Sequence, residues 1–150
     1  MPLLAPRVRS FSDRPSAGGA TKRAFTAFVL FLRAYLQLVR FDFFLARGNF
    51  AKLYDKVRGC HRGEENPGPG DIERICAAVD LASICYWKQI LCLQRSAATA
   101  CLLKRFGIPA QMVIGVQQLL FKAHAWVEVG GSVVNDKPYT REMYEILDRC

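Results

Sequence analysis

Apolar positions recur every three or four residues in the first two thirds of the chain and alternate in much of the remainder. Phe25, Phe28, Val29, Leu32, Leu36 and Val39 keep helical spacing behind Thr21, a candidate cap. Gly48 and Asn49 break that helix, and Asn49 can cap a short second one over "NFAKLYDKVRG". The run "CHRGEENPGPG" at 60–70 reads as a loop. A third helix, "DIERICAAVDLASICYW", opens at Gly70 or Asp71. Residues 92–105 are rich in Ala, Leu and Arg and apolar on most of their circumference, which predicts a central, buried helix. Gly107 suits its left-handed C-terminal position, and Pro109 forbids continuation. Then "AQMVIGVQ" and "FKAHAWVEV" alternate as strands, Gly130-Gly131 makes a turn, and "SVVND" reads as a third strand. "TREMYEILDRC" offers a final helix with Thr140 as cap. Helices ahead of a small antiparallel sheet are an α+β arrangement.

Residues 1–20, with three prolines, three serines and two adjacent glycines, read as a flexible tail. Residues 21–150 suffice for one domain with one core, helical over 21–69 and carrying the sheet within 70–150. At 51% hydrophobic and 11% aromatic, the chain expects a packed globule. Its formal charge of +8 favours acidic partners. The basic residues are dispersed and no nucleic-acid-binding module appears, which argues against a nucleic-acid protein. The longest charge-free run of the first helix, Ala24 to Leu32, has 9 residues, far short of the roughly 20 that a membrane span needs. That helix is expected to pack on the core or to dock on a partner or membrane.

Cysteines stand at 60, 76, 85, 92, 101 and 150, with neither Cys-x-x-Cys pairs nor ligand spacing for zinc, so no metal is expected. Without a secretory signal, most should be small buried thiols in a reducing cytoplasm. His61, beside Cys60 in the loop, reads as an exposed histidine.

Cys92 is different because it lies near a helix start, where free backbone N–H groups and the dipole favour a thiolate. On position alone it is one buried cysteine among several. His124 shifts the balance. In the strand 121–129 the odd positions, Phe121, Ala123, Ala125, Val127 and Val129, form an apolar face, whereas His124 shares the other with Lys122, Trp126 and Glu128. A partly polar face beside an aromatic suits a cleft wall. A third residue depends on the turn. A two-residue Gly130-Gly131 loop sets Asn135 opposite Trp126 and on the His124 face; a three-residue loop or bulge puts Asp136 there.

"CLQRSAATACLLKRFGIPAQMVIGV" followed by "FKAHAWVEVGGSVVND" resembles the leader peptidases of lasso-peptide biosynthesis, whose domain is transglutaminase-like, with a papain-like core. The resemblance spans roughly residues 85–137 and is weaker before them. It implies a Cys92–His124–Asp136 triad, and hence the bulged or three-residue turn. It implies no cofactor and a cytoplasmic bacterial pathway in which an asparagine-synthetase-like cyclase closes the ring. Nothing before residue 70 reads as an extra small β-rich domain. This matches the split family form, which needs a separate leader-recognition protein to deliver the precursor peptide. Gln89 is a possible oxyanion donor by position; Arg95, Ser96 and Trp126 suit either packing or substrate contact. Two other readings compete: acyl transfer to an amine on the same triad, and a partner-binding scaffold without catalysis.

Overall fold

The computed structural model describes residues 17–64, 66–117 and 122–150. The expected tail lies outside the described residues as far as 16. Residues 17–20 already belong to the first helix, α1 (Ala17–Ala46), so Thr21 is interior and not its cap. Helix α2 (Phe50–Arg58) starts as expected, with the Lys52 N–H donating to Asn49 Oδ1 at 3.3 Å. Helix α3 (Asp71–Ile84) follows Gly70, which sits at φ 84°, where a side chain would be strained. Helix α4 (Cys92–Arg105) ends ahead of Gly107, left-handed at φ 78°.

Three strands follow, β1 (Ala110–Gln117), β2 (Lys122–Val129) and the two-residue β3 (Ser132–Val133). The last segment departs from expectation. Only Thr140–Met143 is helical (α5), and Thr140 is its first residue, not a capping side chain. Glu145–Arg149 instead forms β4, antiparallel to β1, with Cys150 exchanging two backbone bonds with Met112. The sheet order is β3-β2-β1-β4, so pairing with the edge of β1 overrides the helical preference of the Glu, Leu and Arg residues in this segment. Apart from the four-residue α5, the helices precede the sheet in sequence, an α+β fold.

Helix α4 is the hub. Ala97, Ala98, Ala100, Cys101, Leu102 and Leu103 are all buried, as its nearly all-round apolar sequence requires. It packs on α1, α2 and α3 and covers one face of the sheet at β1 and β2. Gln94, 1% exposed, donates to the Leu38 carbonyl at 2.9 Å and ties α4 to α1.

The cysteine expectation needs two corrections: Cys60 and Cys101 form a disulfide, tying the start of the 60–70 loop to α4, and of the four free thiols only Cys76 is buried. The loop is also held tightly at Gly63, where an added Cβ would lie 1.8 Å from the Arg105 carbonyl oxygen. His61 is exposed, as expected. Cys76 is buried, Cys92 and Cys150 are half-buried, and Cys85 is exposed. Burial, with the charges of Asp80 and Glu73, pushes the Cys76 thiol up to about 11; burial also raises Cys150.

Candidate active site

Cys92 opens α4. The preceding Leu91 is extended (φ −76°, ψ 149°) and supplies no side-chain cap, so the first-turn amides have no side-chain acceptor from it. Residues three and four apart share a helix face, which puts Arg95 and Ser96 one turn behind Cys92. Both fasten that turn to the sheet. Ser96 Oγ donates to the Ala125 carbonyl at 2.9 Å, beside His124. Arg95 Nη2 donates to the Asn135 carbonyl at 3.0 Å, beside Asp136.

His124, half-buried on β2, pairs across the ladder with Gly115 of β1. Its Nε2 lies 2.6 Å from Asp136 Oδ2. A bond to this nitrogen leaves Nδ1 as the other ring position. The ring lies near Trp126 (centroids 6.3 Å apart) and Tyr144 (5.3 Å). Gly115 makes room for both: a Cβ there would stand 2.8 Å from Trp126 Cη2 and from Tyr144 Cβ. Asp136 also accepts from the Lys137 N–H at 2.8 Å and has Arg95 Nη2 3.7 Å away. Burial alone would raise its carboxyl; the hydrogen bonds from His124 and Lys137, with the charges of His124 and Arg95, outweigh it and hold the group below the usual Asp range.

The turn answers the sequence question in an unforeseen combination. Val129 opposes Ser132 and Glu128 opposes Val133, so the Gly130-Gly131 loop has two residues, not three. Asp136 nevertheless meets His124 because beyond Val133 the ladder continues through one bond, from the Val134 N–H to the Val127 carbonyl at 2.9 Å. Asn135, 7% exposed, turns inward, accepting from the Val127 N–H at 2.7 Å and donating through Nδ2 to Ser96 Oγ at 3.0 Å. The Asn135 side chain thus takes the Val127 N–H that would complete the rung to Val134, and the following residue swings to the imidazole.

The even face of β2 is less open than the sequence suggested. Trp126 is fully buried and donates from Nε1 to Glu128 Oε1 at 2.9 Å. Glu128, 2% exposed, meets Arg149 Nη1 at 2.6 Å. Burial would raise Glu128, but hydrogen bonds from Arg149 and Trp126 and the charges of Arg149 and Arg141 lower it. Sequence reasoning gave Glu128 no role because its partner arrives on β4, a strand not foreseen. Trp126 thus packs beneath His124 and does not wall an open cleft.

On the Cys92 side a cleft of about 520 Å³ is lined by Asp80, Ser83, Ile84, Gln89, Cys92 and Arg95, among others. Arg95 crosses it, with Nη1 3.4 Å from Asp80 Oδ1. Gln89, the sequence-based oxyanion candidate, therefore shares a cleft with the thiol. Among the described residues, no group of three or more His, Cys, Asp or Glu side chains could hold a metal ion.

A family model for the transglutaminase-like superfamily matches residues 35–149. The chain is also similar to the microcin J25-processing protein McjB of Escherichia coli, 43% identical over 56 residues, 37% of this chain and 27% of that protein. The matched stretch is thus about a quarter of the relative's length. No solved structure matches the chain.

Proposed function

The chain belongs to the transglutaminase-like superfamily, and from that premise we propose that it is a cysteine peptidase removing the leader from a lasso-peptide precursor. The observation that carries this reading is the 2.6 Å His124–Asp136 bond on a sheet strapped, through Ser96 and Arg95, to the helix turn that begins with Cys92. The similarity to a protein named for processing microcin J25 supports peptide cleavage as the reaction. The sequence's resemblance to leader peptidases supports the substrate class.

In the proposed reaction, Asp136 holds the proton on Nε2, so Nδ1 is free to accept the Cys92 thiol proton. The thiolate attacks the scissile carbonyl carbon, and the oxyanion that forms is met by the uncapped Cys92 N–H, with Gln89 as a second candidate donor. His124 returns the proton to the departing amine as the C–N bond breaks, leaving a thioester. Water then adds to the thioester while His124 takes its proton, and the thiolate leaves with the carboxylic acid product released. A separate leader-recognition protein is proposed to deliver the precursor, with the asparagine-synthetase-like cyclase acting next. The family match also favours a second reading, in which an amine instead of water resolves the same thioester.

Both readings are tested by incubating the protein with a candidate precursor and a leader-binding protein, and weighing the products. Free leader acid identifies hydrolysis; leader joined to an amine identifies acyl transfer. Cys92→Ala should abolish either product while leaving the fold intact. Full activity in that variant would sink the mechanism.

A further inference from the structure

Helix α1 is apolar on two opposite faces. One face carries Leu30, Ala34, Leu38 and Phe41 into the core. The other presents Phe25, Phe28, Leu32, Leu36, Val39 and Phe43, each between 43% and 68% exposed. Their spacing of three and four keeps all six in one stripe, 18 residues or about 27 Å from first to last. A contiguous exposed apolar strip of that length marks an interaction surface.

What the stripe meets can be read from its edge. Arg33 and Arg40, seven residues apart on α1, follow one side of the stripe with little angular drift, and Arg47, just past the end of the helix, continues that side. The edge abuts the apolar row directly: the Arg47 guanidinium lies 3.7 Å over the Phe43 ring, and Arg33 lines a small cavity with Phe25. The one acid of α1, Asp42, is drawn away from the stripe to Lys88 Nζ at 2.7 Å and the Tyr86 hydroxyl at 3.3 Å. A second copy of the chain would set arginine rows against a stripe that offers no acid, so self-pairing is disfavoured. The six side chains of the stripe carry no hydrogen-bonding groups, whereas a specific protein interface carries polar groups interspersed with apolar ones. Among the described residues, no helix is long and apolar enough to cross a membrane.

We infer that α1 lies on an anionic lipid surface, with the Phe, Leu and Val stripe at the acyl boundary and the arginine row at the phosphates. Arginine suits this edge because its stem stays along apolar surface while the guanidinium reaches the headgroups. The surface stands independently of the peptidase reading: a protein that binds vesicles without cleaving precursors, or the reverse, tells the two apart.

The test is co-sedimentation of the full chain with vesicles of phosphatidylcholine alone and of phosphatidylcholine mixed with phosphatidylglycerol. Binding should require phosphatidylglycerol and weaken with added salt. Arg33→Gln with Arg40→Gln and Arg47→Gln should lower the binding constant about fivefold per arginine, about 100-fold together. Phe28→Ser with Leu36→Ser should lower it about tenfold per side chain. All the positions altered are exposed except the half-buried Arg40, and unchanged circular dichroism and melting would show the fold retained. Failure of the parent protein to sediment with anionic vesicles overturns the inference. So does a stripe that, without vesicle binding, sets the oligomeric state or captures an acidic partner protein. Equal binding to both vesicle types also overturns it, because the arginine row would then have no part.

Discussion

Asn135→Ala removes one short side chain next to a candidate catalytic residue and should act on stability. Asn135 is 7% exposed, and its amide holds β2 to α4 through Val127 N–H and Ser96 Oγ. Deleting it orphans a buried backbone donor, at about 1–3 kcal/mol. Ser96 Oγ keeps its bond to Ala125 O and loses only the incoming one, at about 0.5–1.5 kcal/mol. The Asn135 carbonyl still accepts from Arg95, so the main-chain path to Asp136 survives. The sum is about 1.5–4.5 kcal/mol, a fall in melting temperature of about 3–18 °C for a chain of this size. Urea unfolding followed by tryptophan emission is a direct assay, because Trp126 is fully buried whereas Trp87 is 79% exposed. Asp136→Ala, at a more exposed and solvated site, should do the opposite: small loss of stability, large loss of activity. If Asn135→Ala left the unfolding midpoint unmoved but abolished activity, its assignment as a clasp would be refuted.

Gly115→Ala should displace Trp126 and Tyr144, which leave no space for a Cβ; we expect about 1–3 kcal/mol of destabilisation and a shifted His124 ring resonance in NMR. Glu128 and Asp136 both titrate below their ordinary values when folded. Their stabilising contribution is therefore complete above the unfolded carboxylate range, about pH 4, and is lost as pH falls through the lowered folded values. Melting curves against pH should show Glu128→Gln destabilised at neutral pH, with the gap to the parent closing in acid. Reducing the Cys60–Cys101 disulfide, which closes a loop of sequence separation 41, should lower stability by about 4 kcal/mol, read as a drop in melting temperature with added thiol.

Local rules reached far into this chain because several of its elements obey them without competition. The Ala- and Leu-rich run that starts at Cys92 and stops before Gly107 and Pro109 is a helix by propensity alone, and tertiary packing only buries it. Alternation in β1 and β2 and the Asn49 cap act over two to four residues, so a window of sequence contains all the physics. Cys92 at a helix start and His124 off the apolar face of its strand were legible for that reason. The remaining features depend on groups brought together from distant positions. Glu145–Arg149 is a strand because β1, some 30 residues earlier, offers an unpaired edge. Glu128 is a buried, ion-paired carboxylate only because that strand carries Arg149 to it. Cys60 meets Cys101 only once α4 is docked. The choice between Asn135 and Asp136 could not follow from turn length: the two-residue turn formed, yet Ser96 on α4 captured Asn135 and freed Asp136 for His124. Register is a property of one hairpin, but where its side chains turn is decided by the helix packed against it.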